Sequence, residues 1–260
     1  MYKPGQPRAS LPLSATMFKL VLEYDGTGFA GWQAQPGRRT VQGEVETACR
    51  GVAGRAARVT GAGRTDAGVH AAGQVASVRL AWRHGPDRLA AALNSRLPPD
   101  VAVASAASAP RGFDARRDAR ERAYRYAILA RPTRSPLFTR YSCWVARPLN
   151  TRRMAAVAGL FRGRHDFSAF CTAEARRRGA VRRITRAALR RAGPLLLFDI
   201  AGEGFLHRMV RLAAGALLGA AFFDLLPEAL EKTGRDKALV AVVVGILAFF
   251  LVEKIFKWHH

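Results

Sequence analysis

The sequence predicts an α+β fold, with strands and helices interspersed along the chain. Three observations carry that expectation. Leu20, Leu22 and Tyr24 alternate with Lys19, Val21 and Glu23, the period of a half-buried strand. Val41, Val45, Ala48, Cys49 and Val52 instead recur on one helical face, as do Leu89, Leu93 and Leu97. The chain has 260 residues and is 49% hydrophobic, long enough to bury one large or two modest cores.

Residues 1–17 read as a disordered extension; they carry a few positive charges but lack an apolar run, so they do not read as a secretory signal. Met17 offers an internal start. The first strand ends at Asp25-Gly26-Thr27-Gly28. Gly26 to Gly31 satisfies G-x-G-x-x-G, yet Trp32, Pro36 and Gly37 break the chain before any helix begins, so the stretch reads as a turn with exposed aromatic residues and not as a dinucleotide site. Thr40 is placed to cap the first helix. The stretch GAGRTDAGVHAAGQV, Gly61 to Val75, then forms a loop between a strand at Arg58–Thr60 and another at Gln74–Leu80. Its glycines at 61, 63, 68 and 73 permit a tight backbone that a bulky ligand can approach. The helix bearing Leu89, Leu93 and Leu97 closes at Pro98-Pro99.

After an arginine-rich segment, Tyr124 to Leu129 reads as a strand, and the proline loop at 132–136 marks a boundary between halves. The second half repeats the plan: a helix at Thr151–Phe161, a charged loop at 174–183, a strand at Leu195–Ile200 and a helix opening near Phe205. Ala238 to Val252 is an uncharged apolar run, which as a helix needs either lipid or a surrounding core.

The formal net charge is +23, from 42 Lys and Arg against 19 Asp and Glu. Five acids and five bases cancel after Phe222, so the excess lies upstream. Arginine supplies most of it, and guanidinium groups suit phosphates and stack on bases, which points to nucleic acid. The three cysteines are far apart and lack C-x-x-C spacing, so neither a disulfide framework nor a zinc site is expected, and the compartment reads as reducing and cytoplasmic. His165-Asp166 lacks further ligands at workable spacing, so no metal is expected. Asp66 is the best chemical candidate. A loop aspartate ordinarily forms a turn, but this one has Arg64 and His70 beside it among glycines.

GAGRTDAGVHAAGQV closely resembles the signature of the tRNA pseudouridine synthase A family, and similarity continues on both sides of it. KLVLEYDGTGFAGWQAQPGRRTVQGEVETA resembles that family's opening strand, turn and helix. LNSRLPPDVAV and FDARRDARERAYRY resemble its middle, GRHDFSAFC its second-half loop, and GEGFLHRMVR its later helix start. The resemblance covers about 18–218. It implies mixed or antiparallel sheets with flanking helices in two similar halves, 18–131 and 132–218, around a basic cleft that holds Asp66. It also implies isomerisation of a uridine in the anticodon arm of tRNA, without a cofactor and with the base flipped out of its stack. By the same resemblance Asp66 is the catalytic carboxylate, as nucleophile or base. Arg211 pairs with it and keeps it ionised, Tyr124 stacks on the flipped base, and Arg64 fills the space the base leaves. Arg64, His70, Arg116 and Arg122 are the candidate RNA-binding residues. The partners are tRNA, a second copy in a homodimer, and a membrane through the tail.

The chain departs from the pattern at three places. Asp114 stands where the family has histidine, Leu212 where it has asparagine, and the closing A-P-x-x-G-L segment with its last strand is missing. Residues 219–260 resemble instead a fragment of a ZIP-type metal transporter, expected to form a C-terminal hydrophobic helix. Without the transporter's metal-site helices no transport activity is implied, and a joined reading frame would account for the two parts.

Overall fold

The alternation Phe18, Leu20, Leu22, Tyr24 becomes the buried face of an inner strand, each side chain 3% exposed or less. The computed structural model describes residues 15–177 and 179–222. The chain divides into two units, Met1–Arg122 and Ala123–His260. The first contains β1 (Thr16–Tyr24), α1 (Val41–Ala53), β2 (Val59–Gly61), β3 (Ala71–Leu80), α2 (Pro86–Asn94) and β4 (Val101–Ser108). Its strands lie in the order β2-β3-β1-β4, all antiparallel neighbours. β1 takes in Thr16 and Met17, which the sequence assigns to the extension, because they pair with Leu80 and Arg79.

Thr40 caps α1, its hydroxyl accepting from the Gly43 N–H at 3.3 Å. Val41, Val45, Ala48 and Cys49 are buried as the stripe predicts, and burial pushes the Cys49 thiol up to about 12. Gln42 is buried beside them, a polar residue that periodicity cannot place. Its side-chain carbonyl accepts from Ala34 N–H and the Gln33 amide, and its own amide donates to Glu46 and the Val59 carbonyl, each at 2.9 to 3.0 Å. All four bonds available to a glutamine side chain are thus made. β4 is not foreseen from periodicity, since its Ala and Ser side chains give almost no apolar alternation. Asn94 at the end of α2 holds it, bonding both the N–H and the carbonyl of Val103.

The second unit contains β5 (Arg122–Ala130, whose first residue belongs to the first unit), β6 (Cys143–Val145), α3 (Thr151–Leu160), β7 (Gly163–Asp166), α4 (Ala173–Arg177), β8 (Val181–Ala192), β9 (Leu195–Gly202) and α5 (Met209–Phe222). The sheet order is β6-β5-β9-β8-β7. The boundary expected at 132–136 therefore falls inside this unit. Strand pairing decides the division, because β5 lies between β6 and β9, while the proline loop connects β5 to β6. In each sheet an antiparallel pair of consecutive strands neighbours the unit's first strand, β2-β3 beside β1 and β8-β9 beside β5. The edge that β4 occupies antiparallel to β1 is taken beside β5 by the three-residue, parallel β6.

The charged loop expected at 174–183 is instead α4 followed by the start of β8. β8 escapes the sequence reading because only Ile184 and Ala187 of its twelve residues are buried, and arginines fill its open face. The helix expected near Phe205 is α5, which begins at Met209, four residues later. No helix among the described residues is long and apolar enough to cross a membrane, and the apolar run at 238–252 lies outside them.

Candidate active site

The Gly61–Val75 stretch is a loop from Ala62 to His70 that hangs between β2 and β3 and is pinned from both sides. At its start Ala62 N–H donates to the Val75 carbonyl at 2.8 Å, and the Gln74 amide donates to the Gly63 carbonyl at 2.6 Å. In its middle the Thr65 carbonyl accepts from Trp32 N–H at 2.9 Å, and the Thr65 hydroxyl lies 2.9 Å from the Tyr24 hydroxyl. At its end His70 Nδ1 sits 3.1 Å from Gly26 N–H, from which it accepts when neutral. The same nitrogen is 3.0 Å from Asp25 Oδ1, to which it donates when protonated.

The G-x-G-x-x-G pattern finds its purpose here. A Cβ at Gly26 would run into the Val69 carbonyl, and one at Gly31, whose φ is +105°, would lie 2.8 Å from the Thr65 carbonyl and 3.2 Å from the Asp66 carbonyl carbon. These glycines let the turn lie directly against the loop that carries Asp66. The aromatic residues expected to be exposed are buried: Phe29 is 3% and Trp32 2% exposed. Trp32 fits because Gly61 has no side chain; a Cβ there would meet the indole at 2.5 Å. That glycine makes room for protein, not ligand. The turn is clamped in turn by Arg39, which forks onto both oxygens of Asp100 at 2.7 and 2.8 Å, reaches Glu44 at 2.8 Å and lies 4.2 Å over the Phe29 ring. The paired hydrogen bonds from Arg39 hold the Asp100 carboxyl below the usual carboxylate range.

Asp66 is partly buried at the bend of the loop, where its carbonyl accepts from Val69 N–H at 3.2 Å, and Arg64 is exposed two residues before it. Arg122 is joined to the same loop. Its Nε donates to the Ala62 carbonyl and its Nη2 to the Arg116 carbonyl, both at 2.8 Å, so one guanidinium ties the stem of the Asp66 loop to the 111–118 turn. That turn is seated on β3 through Ala115 N–H, which donates to the buried Ser77 hydroxyl at 3.1 Å. The Arg116 side chain is exposed. The Asp114 carboxylate caps this turn, accepting from Arg116 and Arg117 N–H at 2.9 Å.

Tyr124 and Arg211 belong to the second unit. Tyr124 and Tyr126 share one side of β5 by alternation, and Phe205 meets the Tyr124 ring edge-on with centroids 5.0 Å apart. Phe205 is a neighbour that sequence reasoning used only as a helix start. Burial pushes the Tyr126 hydroxyl well above the usual phenol range, with the Arg211 charge acting in the opposite sense. Arg211 is exposed on the first turn of α5. Just ahead of the helix Arg208 holds φ at +66°, a left-handed backbone uncommon outside glycine. On β5's other side Arg125 pairs with Asp199 at 2.6 Å. His165 and Asp166 serve local turns, His165 Nε2 lying 2.7 Å from the Arg162 carbonyl and Asp166 accepting from Ser168 N–H at 2.8 Å.

The sequence profile described as tRNA pseudouridine synthase matches residues 20–116 and 157–244, and so runs past Leu218 into the segment where a foreign tail is expected. A protein named tRNA pseudouridine synthase A from Halalkalibacterium halodurans is 44% identical over 200 residues, 76% of each chain. Proteins of the same name from Nitrosomonas europaea and Thiobacillus denitrificans are 41% and 44% identical, covering 85% and 89% of this chain and 82% and 90% of their own. With a profile match in each unit and relatives aligned over three quarters or more of their own length, the chain belongs to the tRNA pseudouridine synthase A family.

Proposed function

We propose that this protein isomerises uridine to pseudouridine in the anticodon stem-loop of tRNA, with Asp66 as the catalytic carboxylate. The supporting observation is the construction of the Asp66 loop. Its stem, middle and end are each hydrogen-bonded to a neighbouring element, and two glycines of the 26–31 turn have been cleared of side chains where it passes. A carboxylate that engages a reacting sugar needs such placement, since a shift of about 1 Å costs on the order of a hundredfold in rate. In the reaction the N1–C1′ bond breaks, the base turns, C5 bonds to C1′, and C5 gives up its proton while N1 gains one, so atoms balance without an oxidant. Tyr124, whose ring lies nearly perpendicular to that of Phe205, stacks on the flipped base. Arg211 supplies positive charge from α5, and Arg64, His70 and Arg116 contact RNA.

Release of tritium from C5-labelled uridine in tRNA tests the reading. Asp66→Ala is expected to lower release by about a thousandfold or more and to change tRNA affinity by less than about threefold, because it removes an anion and no phosphate contact. Release that survives the substitution refutes the role of Asp66.

Two finer readings accompany it. A homodimer is supported by large apolar side chains exposed along one stretch, Leu137, Tyr141 and Trp144 at 83%, 53% and 45%, and sedimentation equilibrium reads it directly. Membrane association through Ala238–Val252 rests on the apolar composition of that run. Flotation of the full chain with lipid vesicles, absent when the chain stops after Phe222, is its test. A stop after Leu218 would cut α5 ahead of Ala221, which is 4% exposed.

A further inference from the structure

The hairpin of β7 and β8 sets like charges face to face. Its register places Arg164 directly opposite Arg183 and His165 opposite Arg182. Side chains so opposed have Cβ atoms about 4.5–5.5 Å apart, where like charges destabilise the pair. Both positions are open to solvent, since every residue of β7 is exposed and the Arg183 side chain is 66% exposed. Beside them lies an open recess of about 490 Å³ lined by Arg164, Val181, Arg182, Arg183, Glu203 and Gly204. Three arginines and a single carboxylate thus line the recess; the carboxylate, Glu203, lies 3.6 Å from Arg183 and is itself 59% exposed. Among the described residues no carboxylate pairs with Arg164 or Arg182. Arg182 is held in place by donating through Nη1 to the Gly179 and Val181 carbonyls at 3.1 and 2.7 Å. Gly204 adds no side chain to the wall.

We propose that Arg164, Arg182 and Arg183 form a phosphate-binding subsite for the sugar–phosphate backbone of the RNA substrate, on residues separate from the Asp66 loop. The proposal rests on the reading of the chain as a tRNA-modifying enzyme. An opposed arginine pair on an exposed edge hairpin weakens the free fold and becomes favourable when an anion lies between the two groups. Guanidinium forks match phosphate oxygens two at a time and are more weakly hydrated than ammonium groups, so they give up water to a phosphate at lower cost. A continuous polyanion is the partner that a surface with this excess of positive charge attracts most strongly.

The experiment compares the full-length protein with the double variant Arg164→Ser/Arg183→Ser. It reads tRNA affinity by fluorescence anisotropy between roughly 50 and 200 mM salt, kcat and KM by tritium release, and the melting temperature without RNA. The serine variant is expected to bind tRNA about tenfold more weakly, with the slope of log affinity against log salt smaller by about 1–2, the loss of one or two phosphate contacts. Its kcat stays at the wild-type value while KM rises, and without RNA it melts no lower than the wild type, because a repulsive pair has gone. Arg164→Lys/Arg183→Lys keeps the charge and is expected to retain the wild-type slope. An unchanged affinity and slope in the serine variant overturns the subsite, as does a lysine variant that loses as much slope as the serine one. A wild-type protein that binds tRNA but releases no tritium sinks the proposed function, and the binding comparison then still decides the subsite.

Discussion

Gly31→Ala is the sharpest test of the idea that the 26–31 turn exists to seat the Asp66 loop. At φ +105° an alanine is strained by about 1–3 kcal/mol whatever surrounds it. Its Cβ would also lie 2.8 Å from the Thr65 carbonyl, 3.2 Å from the Asp66 carbonyl carbon and 3.3 Å from Ala67 N, all backbone atoms. Overpacking of this kind adds about 1–3 kcal/mol. The sum, about 2–6 kcal/mol, is a large part of the ~5–15 kcal/mol that holds a domain folded. Relief comes by displacing residues 65–67, which also stretches the Thr65 bonds to Trp32 and Tyr24. Gly37→Ala is the control, because Gly37 has φ +69° and nothing within 4 Å of an added Cβ. It carries backbone strain without collision. Tritium release at saturating tRNA, measured below the melting points of both variants, is expected to fall about a hundredfold in Gly31→Ala and to stay near wild type in Gly37→Ala. Wild-type kcat in Gly31→Ala, or an equal loss in Gly37→Ala, would refute the reasoning.

Other consequences follow from the same contacts. Arg122→Ala frees the Ala62 and Arg116 carbonyls, so kcat is expected to fall more than tenfold while the salt dependence of tRNA binding stays close to wild type; a loss confined to binding would make Arg122 an RNA contact and not a brace. Tyr124→Phe keeps the ring and its contact with Phe205, so turnover should drop by less than about tenfold, with Tyr124→Ala far worse; abolition by the phenylalanine variant would give the hydroxyl a chemical role. Burial pushes the Asp199 carboxyl up, but hydrogen bonds from Arg125 and Arg190 outweigh it and hold the group below the usual range. That stabilisation is present above the unfolded value of ~3.9 and fades as the pH falls through the lower folded value. Asp199→Asn should therefore be less stable than wild type at neutral pH, by under about 1 kcal/mol because both arginines are half exposed. The difference should close in acid, and urea midpoints at two pH values decide it.

The sequence by itself determined the α+β class, the first strand, the face and N-cap of α1, and the loop that carries Asp66. Each rests on contacts within a few residues: alternation, a helical stripe, a hydroxyl reaching three residues ahead. It also determined the family, because motif order survives in the chain without any geometry. Tertiary structure alone decided what depends on partners distant in sequence. The glycines of the 26–31 turn read only as a turn, and Gly61 as room for a ligand, until Val69, Thr65 and Trp32 are seen against them. For Arg122 the sequence shows only one more arginine; that its guanidinium donates to two carbonyls, one of them sixty positions back in the chain, is decided by the fold. The start of β8 falls in the charged loop read at 174–183 because one face of an antiparallel strand can be wholly solvated, and only pairing with β7 and β9 makes it a strand. The boundary between units was misplaced for the same reason. A proline loop marks a local turn in the backbone, whereas a unit is defined by which strands exchange hydrogen bonds.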